Sequence, residues 1–393
     1  MNRAAVILEG ARTPMRHFLG DFARTSAIDL CAVATAGALE RAGAEGADVE
    51  HVVIGNAQQT SIDAVYGARH VALKARIPQS VPALTVNRLC GSGIESIIQV
   101  SRMIQASEIE VGLAGGMENM TQAPHVLYGA RAGLRMKDGA LQDSLVAALT
   151  DSFCDCAMST TSDNLARRYG ITREAQDEYA LQSQTRAAAA RAAGILAEEI
   201  VPVEIRGRSG PELISEDNNL RPETTMESLA GLATAFGPES FVTAGNASGI
   251  VDGGAAVVVA SAEWAHARQI EPLATVVAWA HIGVDPAHMG IGPAPATERV
   301  LAAAGWDLSD VDVFEVNEAF AGQYLAVESE LGLDREKVNI NGGAIALGHP
   351  LGMTGTRITY SAARALRRRG GGKAIATACI GGGQGIAIAI EAT

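Results

Sequence analysis

The sequence has no apolar run long enough to span a bilayer. Hydrophobic residues make up 48% of the chain, yet none of their runs reaches the roughly eighteen residues that a spanning helix needs. That content must be buried in a globule, with no membrane partner. Cysteine is scarce: Cys31, Cys90, Cys154, Cys156 and Cys379 form an odd, scattered set. No paired CxxC spacing marks a structural zinc site, and an odd count suits a reducing compartment better than a disulfide framework. The cysteines are therefore either buried small hydrophobes or reactive groups. Positive charge is short as well. A formal net charge of −13 argues against a nucleic-acid partner and exerts no general pull on anionic substrates. A phosphate-bearing ligand would need local arginines and helix N-termini. The start, Met1-Asn2-Arg3-Ala4-Ala5-Val6, lacks a signal-peptide layout, and Glu391-Ala392-Thr393 carries no organelle address. The expected location is cytoplasmic.

What is present is a repeated order of elements. The 393 residues predict two or three folded units. Ala5 to Leu8 reads as a strand followed by a turn, Ile28 to Leu39 as a helix stopped near Gly43, and Val52-Val53-Ile54 as a strand ending at Gly55-Asn56. After Gly91 comes a helix apolar on nearly all sides, hence a core helix. Glu110 to Ala114 is a further strand, closed by Gly115-Gly116. The second half replays this order. Val311 to Glu315 is a strand ending at Asn317, Gly348 and Gly352 open a helix from Thr354 to about Arg369, and Ala374 to Ala378 is a strand ending at Cys379 and Gly381-Gly382-Gly383. Two βαβ-type halves related by a pseudo-twofold would bring these strand ends and helix starts to one seam. The expected fold class is α/β in αβαβα layers. Residues 1–119 with 250–272 form the first half, 273–393 the second, and 120–249 a loop or cap region over the seam. Within that region Arg173 to Ala193 is a polar helix started by Thr172 and ended by Gly194.

Four residues at glycine-marked positions carry chemistry. Cys90, in Asn87-Arg88-Leu89-Cys90-Gly91-Ser92-Gly93, sits at a helix start, where free N–H groups and the positive dipole end favour a thiolate and a lowered pKa. The competing reading is a structural cysteine at a tight turn. His349, within Asn341-Gly342-Gly343 to Leu351-Gly352, could take a proton from a thiol and then, as imidazolium, stabilise nearby negative charge. A satisfied core histidine is the alternative. Cys379 precedes glycines whose bare N–H groups are the usual material of an oxyanion hole, although an inert thiol at a tight turn would look the same. Asn317 could donate to an oxyanion or orient a water; with Glu318, it could equally be an ordinary turn and helix cap. Each signal is weak alone, but all four fall at corresponding points of the two halves.

At these motifs the sequence resembles the thiolase family, in particular its acetyl-CoA acetyltransferases. The likeness runs from Ala11-Arg12-Thr13-Pro14 to Gly385 and includes Gly115 to Met120, Thr243 to Gly249, Met289 to Pro293, Asn317-Glu318-Ala319-Phe320, Gly348-His349-Pro350 and Cys379 to Gly383. The resemblance implies a ping-pong transfer. Cys90 attacks an acyl thioester, His349 accepts its proton and coenzyme A leaves. Cys379 then deprotonates the α-carbon of a second acetyl-CoA. One oxyanion hole would use His349 and a water held by Asn317; the other would use the N–H groups of Cys90 and Gly381. Ser248 and Arg221 match residues near the pantetheine and adenine, while Met158, Met289 and Phe320 match the acyl pocket. Coenzyme A thioesters enter as substrates, and no permanently bound cofactor or metal is implied. A homodimer or homotetramer is expected, with Met117 to Lys137 resembling a tetramer-forming loop. The chain departs from the family's pattern at Ala157, Ser159, Arg16 and Gly231-Leu232-Ala233, positions that bear on acyl chain length and coenzyme affinity. Acetoacetyl-CoA is the expected substrate. The alternatives are a degradative 3-ketoacyl-CoA thiolase acting on longer chains, an inactive thiolase-like scaffold, a redox sensor and, least favoured, a ketosynthase.

Overall fold

The computed structural model describes residues 3–136, 138–207 and 210–393. Its principal strands are β1 (Ala5–Arg12), β2 (His51–Asn56), β3 (Ala83–Val86), β4 (Val111–Glu118), β5 (Val251–Ser261), β6 (Ala274–Gly283), β7 (Val313–Val316), β8 (Gly372–Ile380) and β9 (Gln384–Ala392). They lie side by side in the order β7-β8-β9-β6-β1-β5-β4-β2-β3. Outward from the central antiparallel contact of β1 with β6, each side repeats one pattern. β5 and β4 follow β1 antiparallel and then β2 joins parallel, just as β9 and β8 follow β6 antiparallel and then β7 joins parallel. Both halves of the chain therefore build the same four-strand pattern, to which the first adds β3 parallel to β2.

The helices that position the site are α1 (Ala27–Ala42), α2 (Ser92–Gln105), α3 (Met158–Tyr169), α4 (Arg173–Ala192), α5 (Pro293–Ala304), α6 (Ala321–Leu331) and α7 (Leu351–Arg369). Helices α2 and α7 occupy matching places in the two halves and pack on each other between the sheet faces. Glycine makes that contact possible: an added Cβ would fall 2.3 Å from the Thr356 nitrogen at Gly93, and 2.3 Å from the Ile94 nitrogen at Gly355. Ile94, Ile97 and Ile98 of α2 join Ile358, Ala362 and Leu366 of α7 in one core with Val257, Ile388 and Ile390. Helix α7 is buried from Leu351 to Ala363, so it reads as a core helix as α2 does. Helix α1 starts at Ser26, whose side chain accepts from the Asp29 N–H, and ends at Gly43 with φ 61°. Helix α4 starts at Thr172, which accepts from Ala175, and the chain turns away at Gly194 with φ 77°.

Several boundaries differ from the sequence expectation. Strand β1 continues through Gly10-Ala11-Arg12, which read as a turn, because Arg12 is fixed by buried carboxylates. Its guanidinium donates to Glu199 at 2.9 Å and to Asp217 at 2.8 and 2.9 Å. Burial alone would lower the Arg12 pKa, but the two carboxylates raise it instead. Strand β4 runs through Gly115-Gly116 rather than closing there. At Gly116 the missing side chain admits the start of α7, since a Cβ would lie 2.0 Å from the Gly352 oxygen. Helix α7 begins at Leu351 rather than Thr354, and β8 includes Cys379. The stretch beginning at Met117 holds the last two residues of β4, then only short 3₁₀ turns and a two-residue strand pairing; its last residue, Lys137, lies outside the described residues. Among the described residues no helix is long and apolar enough to cross a membrane.

Candidate active site

The strand ends of both halves meet where α2 and α7 begin. Cys90 lies in a single 3₁₀ turn, Leu89–Gly91, ahead of α2 rather than in its first α-helical turn. The residue is half-buried and packs against the cluster of Met120, Leu145 and Leu351. Burial therefore dominates and pushes the thiol up to about 11, although the N–H groups of Gly381 and of Cys90 itself point at the sulfur and oppose the shift. This corrects the expectation of a lowered pKa: the 3₁₀ turn supplies one donor and the turn after β8 the other, and the apolar wall outweighs them. Cys379 is fully buried with Met289, Ala319, Met158 and Phe320 around it. Burial first, then the nearby Cys90, raises its pKa well above the ordinary thiol range.

His349 is fixed at both nitrogens. The Thr354 hydroxyl donates to the Pro350 oxygen at 3.0 Å, so it accepts from His349 Nδ1 at 2.6 Å. The lone pair of Nε2 is left facing the Asn317 amide nitrogen at 3.4 Å. That tautomer is the one able to accept a proton at Nε2. Burial, helped by the charge of Arg357, pushes the imidazole down to about 3. The resting site thus keeps the proton on the Cys90 sulfur and the His349 imidazole neutral. Asn317 is held by its own N–H to the Thr377 oxygen at 2.9 Å. Its Oδ1 is buried without a protein hydrogen-bond partner among the described residues, leaving room for one more donor.

The fold brings Cys90, Cys379 and Gly381 together, and Asn317 to His349. Leu351, two residues after His349, packs against Cys90, and Ala319, two residues after Asn317, packs against Cys379. Met158, Met289 and Phe320 line the Cys379 side. Ser248 donates its N–H to the Ala319 oxygen at 3.0 Å, beside this loop. Arg221 stands further out and lines a cavity of about 300 Å³ with Ser228, Leu232, Ala247 and Gly249. The segment 247–249 joins cavity to thiols, because the Gly249 oxygen accepts the His349 N–H at 2.9 Å.

Two residues that hold this geometry were not singled out from the sequence, or were read only as a cap. Glu118 is buried and accepts from Asn56, the N–H groups of Ala57 and Gln58, and the Gly352 N–H, all at 2.8 to 3.0 Å. Burial raises it to about 7. Glu318, read as a turn or cap, is a buried hub instead. It accepts from Tyr179 and Ser183 of α4 at 2.7 Å each, Asn339 at 2.8 Å and the Ile345 N–H at 3.0 Å. The available signal was an acidic residue at a strand end, after a glycine pair for Glu118 and after an asparagine for Glu318. Among the described residues, no cluster of three or more His, Cys, Asp or Glu could hold a metal.

A half-sheet built twice, with two thiols, an imidazole and an amide at its seam, defines a cysteine-centred group-transfer site. The family profile for the thiolase N-terminal domain matches residues 5–263, and that for the thiolase C-terminal domain matches residues 270–392. The mitochondrial 3-ketoacyl-CoA thiolase of Homo sapiens is 46% identical over 392 residues, covering 100% of this chain and 99% of the relative. The acetyl-CoA acetyltransferase of Cupriavidus necator is also 46% identical, covering 98% of each. Among solved structures, the human mitochondrial 3-ketoacyl-CoA thiolase in complex with CoA superposes with a TM-score of 0.97 at 46% identity, covering 100% of this chain and 98% of that one. The Bacillus anthracis acetyl-CoA acetyltransferase gives 0.97 at 43% identity, covering 100% and 99%. The chain belongs to the thiolase family of acyltransferases.

Proposed function

We propose that this enzyme makes and cleaves acetoacetyl-CoA through an acetyl group carried on Cys90. The observation that carries the proposal is the convergence of the Gly381 and Cys90 N–H groups on the Cys90 sulfur, where an oxyanion formed by attack there would be stabilised. Coenzyme A would lie along Arg221 and Ser248, with its thioester between the sulfurs. As the Cys90 sulfur bonds to the acyl carbon, its proton passes to His349 Nε2. The tetrahedral intermediate expels the coenzyme A sulfur, which takes that proton, and the acetyl group stays on Cys90. Cys379 then passes its proton to the freed His349 Nε2, and the thiolate so formed, strongly basic because it is buried, removes an α-proton from a second acetyl-CoA. The resulting carbanion bonds to the acetyl carbon, and Cys90 departs, taking the proton from His349 to regain its thiol. The enolate oxygen would be held by His349 and by a water on Asn317. These groups stabilise each charge the steps create, so no resident cofactor or metal is invoked.

The three-part division of the chain at 120 and 250, a homodimer or homotetramer, and a cytoplasmic location belong to the same reading. Support for a reducing compartment comes from five free cysteines. A second substrate reading, a 3-ketoacyl-CoA thiolase for longer chains, is favoured by Ala157. This small residue stands next to Met158 at the start of α3 and offers no side-chain cap there. The kcat/KM for thiolysis across chain lengths separates the two. Acetoacetyl-CoA should be cleaved best, and a longer 3-ketoacyl-CoA preferred tenfold, about 1.4 kcal/mol, would replace the acetoacetyl assignment with the second.

A further inference from the structure

The hairpin formed by Thr150–Asp151 and Cys156–Ala157 carries two thiols one residue apart, and the proposed mechanism uses neither. Cys154 and Cys156 are free and half-buried, while Ser152, Phe153 and Asp155 around them are exposed. Extended residues i and i+2 stand about 6.6 Å apart, at the far end of the roughly 4.4–6.8 Å that a disulfide bridges. Asp155 between them has φ 53°, a left-handed bend that draws its neighbours together. The two side chains are accordingly near neighbours, and the thiol and the N–H of Cys156 both act on the Cys154 thiol.

The base of this hairpin reaches the apolar packing around both catalytic candidates. The Met158 N–H donates to the Leu149 oxygen at 2.9 Å. On one side of that bridge Leu149 packs into the cluster holding Cys90; on the other, Met158 packs against Cys379. A covalent change at the tip is therefore transmitted to the walls of the acyl pocket.

We propose that Cys154 and Cys156 form a dithiol site that exchanges with low-molecular-weight disulfides, and that its oxidised form reshapes the acyl pocket. One thiolate attacks a disulfide R–S–S–R, forming a mixed protein disulfide and releasing R–SH. The second thiolate attacks the protein-side sulfur, expels the second R–SH and closes the Cys154–Cys156 bond. The protein loses two electrons and two protons, and the small disulfide gains them. The exchange itself is independent of the proposed function; only its kinetic effect rests on it.

Titration of the intact enzyme with glutathione disulfide, followed by alkylation and tryptic mapping, tests the exchange. Segment 138–167 carries both thiols. It should lose two hydrogens and escape alkylation, and dithiothreitol should reverse this. Cys154→Ser should stop at a mixed disulfide on Cys156. Two alkylatable thiols remaining in wild-type segment 138–167, or a disulfide joining two chains, would overturn the site. In the kinetic arm, oxidation should shift the KM for the acyl thioester severalfold in the wild type but not in Cys154→Ser/Cys156→Ser. Equal KM behaviour of these two proteins, with the disulfide mapped, would overturn the coupling and leave catalysis by Cys90 untouched.

Discussion

In the first lobe the amide at the end of β2, Asn56, donates to Glu118 at 2.9 Å and the Met117 oxygen at 3.2 Å. In the second lobe the amide at the matching strand end, Asn317, faces His349. The scaffold is the same, yet one asparagine is locked into structure and the other is left with an unpartnered buried oxygen. The carboxylates also divide their work. Glu118 of the first lobe reaches across to the Gly352 N–H at the start of α7, the helix whose Thr354 orients His349. Glu318 of the second lobe holds α4 of the middle region instead. A duplicated fold supplies positions; neighbouring side chains decide which of them become reactive.

The largest expected break is at the pair of thiol positions. Cys90→Ala should lower kcat by about 10⁴-fold or more with the thermal midpoint little changed, and steady-state kinetics with a melting curve check both. Next comes the tie between the first lobe and the middle region. Arg12→Ala leaves Glu199 and Asp217 buried without their cation and should cost about 3–5 kcal/mol of stability. The second lobe's corresponding tie is weaker, and Tyr179→Phe should cost about 1.5–3 kcal/mol, chiefly through the lost hydrogen bond to Glu318 and less through the one the hydroxyl accepts from Asn339. Urea titrations of the two variants compare them, and a larger loss in Tyr179→Phe would reverse this ranking of the lobes. The two asparagines sharpen the contrast further. Asn317→Ala should lower kcat about 10²- to 10³-fold, whereas Asn56→Ala should act mainly on stability, by about 1–3 kcal/mol.

The smallest effect, taken per pH unit, is on pH dependence, and its sign differs between the lobes. His349 has a depressed pKa, so its contribution to stability is complete above the unfolded value of 6.5 and is lost as pH falls toward about 3. Between those values the wild type should lose up to about 1.4 kcal/mol per pH unit more than His349→Asn. Glu118 has a raised pKa, so its contribution is complete below the unfolded 4.5 and is lost as pH rises through about 7. Unfolding free energies measured from pH 4 to 8 test both slopes.

Much of this was legible because local chemistry and fold agree. The apolar helix after Cys90, the Gly43 stop of α1, the caps of α4, and the repeated strand–glycine pattern each arise from short-range rules, and the family motifs pointed to Cys90, His349 and Cys379, of which the structure brings the two sulfurs near each other. The proton balance was not legible. A helix start argues for a thiolate, but the apolar wall of Met120, Leu145 and Leu351 comes from distant segments and reverses the sign. Glu118 and Glu318 were hidden for the same reason: a carboxylate after a glycine pair or an asparagine reads as a turn until its four donors, far off in sequence, are brought around it. Strand β1 running through Gly10 likewise depends on Glu199 and Asp217, which no local pattern connects to Arg12.

Intact mass after brief incubation with acetyl-CoA tests the division between the two sulfurs most directly. Wild type and Cys379→Ser should each gain one acetyl group, and Cys90→Ser none, while Cys379→Ser should fail to form acetoacetyl-CoA. An acetyl group carried by Cys90→Ser, or equal loss of acetylation in both variants, would contradict the account.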